Sequence, residues 1–505
     1  MATPAGPPPE GDTARRAARN MAGPFAAQLV GRALSIVYYS AQAKLLAQGE
    51  LGQYIFASLV WLYANTITDW GLGTWLTREI AAHRHDPDGR RTTAQLFAEG
   101  LGVRLALAAL ALLPLLALTV PGPAYSFARI SPDGATAIML LGLSLLPGAF
   151  SSAVTALYNA HERLSLPAGI AVVTAAANAV LGVAAMLLGW GAPGLAGAAL
   201  LTTCVTASIF YRLLRRDFFP PRVEWKPSAT RQMLVAGFPL MLNGLLIVIF
   251  FRFDQPIIKH FWGDRQVAIY ETAYKVINVT QIIPPSVVLA LFPLMARAAL
   301  EDRAALVRQY RLAVKLLLLI GLPLVVGTVA LAEPVITAIT LGKAGYLPYS
   351  AYALAILILY LPISFINGVT QYVLIALHRQ SRITWAIGAT ALFNIGANWL
   401  LVPIWGIYAA ALVTVLSEVV LLVPFLLWAA RELGADAVRP GRSGVALALA
   451  GAVMCIVAAA AVGQGFSGFV ALLAGWLSYL GCVVGLRAVG PVEWSMMRRA
   501  VGRKV

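Results

Sequence analysis

At 505 residues, with 59% hydrophobic and only 12% charged side chains and a mean hydropathy of +0.77, the chain lies far from soluble proteins, in which about a quarter of positions carry charge. That composition excludes a water-soluble enzyme and predicts an all-α, polytopic membrane protein. The formal charge of +16 is then read by its position along the chain, as topology, and not as a nucleic-acid-binding signature.

Residues 1–20, rich in Pro, Gly, Ala and Arg, are expected to form a disordered cytoplasmic tail, with no cleavable signal peptide before the first membrane helix. Fourteen apolar runs of about 20 residues follow. Six, centred near Ser35, Leu62, Leu107, Leu146, Ala177 and Val205, make an N-lobe over residues 21–216. After a cytoplasmic linker at 217–230, six more, near Leu246, Ile282, Leu319, Ile358, Ile387 and Val415, make a C-lobe over 231–432. Two appended helices, near Val453 and Ala474, occupy 443–490, and a basic tail covers 491–505.

An even number of crossings places both termini on one side. Arg15, Arg16 and Arg19 at one end, with Arg498, Arg499, Arg503 and Lys504 at the other, make that side the cytoplasm of a cell bounded by its inner, plasma membrane. Alternate loops agree. The inner ones hold Arg78, Arg84, Arg90, Arg91, Arg163, Arg379, Arg382, Arg431 and many more, whereas the outer ones hold only Arg129, Lys259, Arg265 and Lys343. Juxtamembrane Lys and Arg also gain about 1 kcal/mol each near an acidic leaflet, so anionic phospholipid headgroups are expected partners.

Three segments recur in the same order in both lobes. Gly49-Glu50-Leu51-Gly52-Gln53-Tyr54 between the first two runs answers Gly263 to Tyr270 between the seventh and eighth. Ala156-Leu157-Tyr158-Asn159-Ala160-His161-Glu162-Arg163 answers Ala376-Leu377-His378-Arg379, and Gly194-Leu195-Ala196-Gly197 answers Gly406-Ile407-Tyr408-Ala409. Two pseudo-symmetric six-helix lobes inserted with the same orientation follow, a design that places a substrate path between repeats.

The chain is expected to be neither an enzyme nor a pump. The only Gly-Lys pair, Gly342-Lys343, is followed by Ala, so no phosphate-cradling loop exists. His83, His85, His161, His260 and His378 form no His-Glu-x-x-His helix, and Cys204, Cys455 and Cys482 sit in apolar runs, so neither a metal nor a cofactor is expected. What remains is movement of a substrate, and the informative residues are ionisable groups within the runs: Arg32 and Lys44 in the first, Arg104 in the third, Arg252 and Asp254 in the seventh, Glu271 and Lys275 in the eighth, and Glu418 in the twelfth. A charge at the bilayer centre costs about 2.5–3.5 kcal/mol on insertion scales, so such groups face protein or a watery cavity.

Five cations against three anions suit an anionic ligand such as a phosphate or diphosphate. Alternatively, Asp254 with Lys275 and Lys259 with Glu271 neutralise one another. Arg252 and Asp254, two apart on one helix, are about 200° apart and face different ways. Arg32, with no acidic residue within reach on its own helix, is the leading cavity cation. Glu418 is either a proton or sodium site or a carboxyl satisfied by the backbone. Asn178, Asn243, Asn278, Asn367, Asn394 and Asn398 read as interhelical ties.

Asp69-Trp70-Gly71-Leu72-Gly73 leading to Arg78-Glu79-Ile80-Ala81, together with Phe238-Pro239-Leu240, Arg252-Phe253-Asp254, Tyr270, Lys275 and Ala290-Leu291-Phe292-Pro293, resembles the Wzx-type polysaccharide flippases, in the superfamily that also holds the lipid II flippase MurJ and the MATE drug exporters. The resemblance implies a two-lobed bundle that alternates between inward-open and outward-open states and carries a polyprenyl-diphosphate oligosaccharide to the outer leaflet for cell-surface polysaccharide biosynthesis. It implies that Arg32, Arg104, Arg252 and Lys275 hold anionic substrate groups. Asp69, Arg78 and Glu79 would organise a cytoplasmic gate, and Asp254, Glu271 and Glu418 would serve gating or ion coupling. Both coupling to H+ or Na+ and uncoupled movement fit. Polysaccharide polymerase and glycosyltransferases of the same pathway are the protein partners implied. The alternative is a MATE-like cation-coupled antiporter of small amphipathic compounds, disfavoured by a first lobe whose carboxylates, Asp69 and Glu99, lie near helix ends.

Overall fold

The computed structural model describes residues 10–84, 86, 88–281, 283–439, 441–464, 468–488 and 490. The basic tail at 491–505, His85 and the side chains of Arg15, Arg16 and Arg19 lie outside the described residues. Every regular element among the described residues is helical, and the chain clusters into two compact units, Met1–Ala268 and Ile269–Val505.

The first unit contains α1 (Glu10–Leu45), α2 (Gln48–Asp69), α3 (Leu72–His83), α4 (Gly89–Thr119), α5 (Pro123–Phe127), α6 (Pro132–Leu143), α7 (Leu145–Ala160), α8 (Ser165–Leu187), α9 (Gly191–Asp217), α10 (Pro227–Arg252), α11 (Asp254–Trp262) and the first turn of α12 (Asp264–Thr280). The second holds the rest of α12, α13 (Ile283–Glu301), α14 (Arg303–Ala330), α15 (Ala332–Ile339), α16 (Tyr349–Leu357), α17 (Leu361–Ala376), α18 (Gln380–Trp405), α19 (Ile407–Leu433), α20 (Ala435–Val438), α21 (Arg442–Gly463) and α22 (Gly468–Gly485).

Eleven of the helical stretches among the described residues are long and apolar enough to cross a membrane. Of the fourteen expected runs, the three near Ser35, Leu62 and Ile282 are not among them; the last is divided between α12 and α13 at Gln281. The chain is a multi-pass membrane protein. Large apolar side chains such as Leu110, Val180, Trp385, Leu400 and Leu477 face outward, as lipid requires. The appended pair, α21 and α22, packs together against α14 through Leu447, Met454 and Tyr479, whose hydroxyl donates to the Leu319 carbonyl at 3.0 Å.

Two local differences have clear causes. α1 starts at Glu10 instead of residue 21, because the Ala- and Arg-rich stretch after Gly11 favours helix. The second run does not continue through Arg78-Glu79-Ile80-Ala81 as one helix. Trp70 and Gly71 turn left-handed, at φ 48° and 70°, and separate α2 from α3.

One of the recurring segments has the same construction in each unit. α7 ends with Glu162 at φ 59°, the Glu162 amide bonded to the Asn159 carbonyl and the Arg163 amide to the Tyr158 carbonyl. α17 ends with His378 at φ 58°, its amide bonded to the Ile375 carbonyl and the Arg379 amide to the Leu374 carbonyl. Both are left-handed helix stops that satisfy the last carbonyls. Each hands the chain to an arginine that meets an acid at the end of the helix after next: Arg163 with Asp217 at 3.8 Å, and Arg379 with Glu432 at 2.9 Å.

Candidate functional site

The break at Trp70–Gly71 organises the most conspicuous charges of the first unit. Asp69, the last residue of α2, takes a 2.7 Å hydrogen bond from the Arg104 guanidinium on α4, which is 1% exposed while Asp69 is 38% exposed at its side chain. Gly73, on α3, lies against both. A Cβ there would stand 3.1 Å from the guanidinium and 3.4 Å from the carboxylate. The indole Nε1 of Trp70 donates to the Leu234 carbonyl of α10 at 2.9 Å, and α10 approaches so closely that a Cβ on Gly237 would stand 2.3 Å from the Trp70 carbonyl oxygen. Arg104 is thus held by Asp69, and the two residues expected in separate roles, substrate binding and gating, form one half-buried joint. Arg78 and Glu79, expected beside Asp69 in a gate, pair with each other at 3.1 Å on a largely exposed part of α3.

The linker ahead of α10 is fastened to α4. The Glu224 amide donates to the Ala98 carbonyl, and Lys226 meets the buried Glu99 at 2.8 Å. That hydrogen bond raises the Lys226 ammonium above its ordinary 10.5. Arg84 of the α3 end reaches Glu162 at 2.6 Å and the Ala160 carbonyl at 2.9 Å, tying α3 to the end of α7.

Arg252 and Asp254 are not on one continuous helix. Arg252 closes α10 and Asp254 opens α11, each sign at the helix end that favours it. Tyr63 on α2 lies within electrostatic reach of both charges. Lys259, buried under the Phe56 ring, binds Asp264 across the Gly263 turn. In the second unit Lys275 meets Glu271 one turn earlier, at 3.5 Å. Two neutralising pairs are local in sequence: Asp264 with Lys259, and Glu271 with Lys275. Arg32 stands half-buried on α1.

Glu418 is 2% exposed on α19, where the Asn367 amide donates to its Oε2 at 2.6 Å and to its own carbonyl at 2.9 Å. Next to it, the Asn394 amide donates to Ser417 at 3.0 Å, and the Asn398 amide to the Asn394 side-chain oxygen at 3.0 Å. Asn367 and Asn394 are the interhelical ties expected of them, Asn398 bonds back to Asn394 on its own helix, and Glu418 accepts from a side-chain amide. No cluster of three or more His, Cys, Asp or Glu suited to a metal occurs among the described residues.

A feature that the charges do not announce is a cavity of about 880 Å³ within the first unit, bounded by α1, α2, α6, α7, α8 and α9. Its wall includes Trp61, Thr155, Asn178, Thr202 and Thr206 and no Asp, Glu, Lys, Arg or His among the described residues. None of the residues expected to bind substrate lines it. The signal in the sequence was the density of Ser, Thr and Asn inside these runs.

A model of the polysaccharide biosynthesis protein family matches residues 17–299, and a model of the MatE family matches residues 239–400. No curated protein matches. Among solved structures, the chain is similar to the lipid II flippase MurJ in an inward closed conformation, with a TM-score of 0.71 and 14% identity over 95% of this chain and 99% of that one. It is also similar to an inward-facing multidrug resistance MATE transporter of the MOP superfamily (TM-score 0.65, 17% identity, 80% and 94% covered). A third likeness is to a MOP-superfamily transporter from Pyrococcus furiosus described as having a binding pocket of reverse polarity (TM-score 0.58, 16% identity, 83% and 95% covered). These likenesses establish the MOP-superfamily fold.

Proposed function

Because the chain belongs to the polysaccharide biosynthesis protein family, we propose that it carries a polyprenyl-diphosphate-linked oligosaccharide from the inner to the outer leaflet of the plasma membrane by alternating access. The observation that carries this reading is the family match across residues 17–299, which takes in nearly all of the first unit and its uncharged cavity. Arg32 and Arg252 of the first unit would meet the diphosphate, and the Asp69–Arg104 joint fastens α2 to α4. Export needs no nucleotide: a charge crossing 100 mV gains about 2.3 kcal/mol, and with a negative cytoplasm an anion leaves downhill. Alternating access requires only a ligand with different affinity for the two states. Both termini face the cytoplasm in this reading, near the anionic headgroups, polymerase and glycosyltransferases that would be its partners.

The test is reconstitution in vesicles loaded with a polyprenyl-diphosphate glycan, scored by its accessibility to an external lectin. Wild type should raise the flipping rate over empty vesicles, and Arg32→Ala and Arg252→Ala should lower it at least tenfold. No difference from empty vesicles overturns the proposal. The MatE match over residues 239–400, which extends to Asn394 and Asn398 beside Glu418, favours a second reading, a cation-coupled antiporter. Efflux of an organic cation that requires a proton or sodium gradient, and is lost in Glu418→Gln or Asp254→Asn, would put that reading first.

A further inference from the structure

In the second unit, Glu432 in the last turn of α19 is 14% exposed at its side chain and is shared by three guanidiniums from two other helix starts. Arg379, in the turn before α18, donates through Nε to its Oε1 at 2.9 Å, and Arg382, in the first turn of α18, donates to the same oxygen at 3.3 Å. Arg303, the first residue of α14, stands 3.9 Å from Oε2 and donates to the Glu432 main-chain carbonyl at 2.6 Å. Three positive charges against one negative leave the corner overcharged. A guanidinium carries five N–H donors in a planar fork, and each of these three bonds Glu432 through one nitrogen only. All three side chains are exposed, so donors remain for a further ligand.

The signs run against the helices as well. Arginines at the starts of α14 and α18 meet positive helix ends, and a glutamate in the last turn of α19 meets a negative one. Glu432 relieves part of the repulsion among the arginines, and an anion with several acceptor oxygens would relieve the rest. Phosphate has that form, and the arginine fork matches it in two-point contact.

The course of α18 shows which phosphate reaches the corner. Trp385 lies one turn beyond Arg382 on the same face and is 80% exposed. Trp405, also exposed, closes the other end of the helix. The two tryptophans are about 30 Å apart along the axis at 1.5 Å per residue, the thickness of a bilayer's hydrocarbon core, and exposed tryptophans mark its borders. Leu392 and Leu400 face outward between them. The arginines therefore stand at headgroup level, beside a strip of helix that acyl chains cover. A soluble phosphate would use the fork alone, whereas a phospholipid fits fork and strip together.

We propose that Arg303, Arg379 and Arg382 bind the phosphodiester of an anionic phospholipid resident in the membrane, with its acyl chains along Trp385 and Leu392. The site lies wholly within the second unit and is independent of the cargo the protein carries. A lipid held there draws together the starts of α14 and α18 and the end of α19, a junction that Glu432 alone leaves overcharged.

The test replaces Trp385 in the full-length protein with the photocrosslinker benzoylphenylalanine, in vesicles of equal phosphatidylglycerol and phosphatidylcholine, and identifies the captured lipid by mass spectrometry. Phosphatidylglycerol should be captured at least threefold more often than phosphatidylcholine. The double variant Arg379→Gln, Arg382→Gln should bring the ratio close to one. Arg303→Gln, which leaves Glu432 two arginine partners, should lower it too and covers the case in which the double variant does not fold. Arg439→Gln, an exposed arginine paired with Asp436 outside the corner, should leave the ratio unchanged. Equal capture of the two lipids by the otherwise unaltered chain, or a preference that survives loss of the corner arginines, overturns the assignment. Loss of the preference on adding soluble glycerol phosphate would give the corner to a free phosphate, and its loss on adding a trace of polyprenyl diphosphate would give it to the cargo; either overturns the resident phospholipid.

Discussion

Arg104 shows how one side chain changes meaning once its neighbour is known. A guanidinium 1% exposed beside a carboxylate is a fastening, and removing one partner of a buried pair costs on the order of 3–5 kcal/mol because the other charge is stranded; a stranded Asp69, 38% exposed, puts Arg104→Gln toward or below the lower end. In a double-mutant cycle read by unfolding midpoints in one detergent, Asp69→Asn and Arg104→Gln should each destabilise, and the double variant should lose far less than their sum. Additive losses would show that the residues are not coupled. Gly71 has two constraints at once, a φ of 70° and a Cβ position 2.5 Å from the Leu240 Cβ. Gly71→Ala should lower the midpoint by several degrees, while Gly31→Ala, whose Cβ meets nothing within 4 Å, should leave it unmoved or raise it slightly. Equal behaviour of the two would contradict the tight joint.

Helices were legible where only local composition decides them. Apolar runs at Leu107, Val205, Leu319 and Val415 became α4, α9, α14 and α19 because about 20 apolar residues suffice for a span. The kink after Asp69 was not legible, since a left-handed Trp70 is imposed by α10 closing over it and not by its own propensity. The pairing of Asp69 with a residue 35 positions away needs the packed fold, as does a cavity whose threonines are spread over three helices. The start of α14 gives an electrostatic test at this scale. Asp302 caps it, accepting from the Ala305 amide at 3.0 Å, and that bond, helped by Arg308, holds the carboxyl below its ordinary 3.8. A depressed acid stabilises the fold above its unfolded value, and the contribution vanishes as pH falls through the folded value. Asp302→Asn should therefore narrow the difference in unfolding midpoint between pH 6 and pH 3; an unchanged difference would assign the acid sensitivity elsewhere.

For the molecule as a whole, the arginine-capped helix stop found once in each unit gives the internal repeat physical content: a left-handed residue followed by an arginine that locks the end of the helix after next. If these two stops share a membrane face with the basic termini, as the distribution of Lys and Arg demands, then epitope tags at residues 1 and 505 should both be reached by antibody only in inside-out vesicles. A tag exposed on opposite faces would mean an odd number of crossings and undo the proposed orientation. The Arg303, Arg379 and Arg382 side chains gathered on the single Glu432 leave a net positive surface there, suited to the acidic leaflet.

The uncharged cavity also has a genetic meaning. Asparagine and aspartate codons differ by one base, so Asn178→Asp would place a carboxylate in a chamber that otherwise has none. With that single change the wall would gain a charge able to offset the lost hydration of a cation. A single base thus separates an uncharged chamber from an anionic one in this architecture.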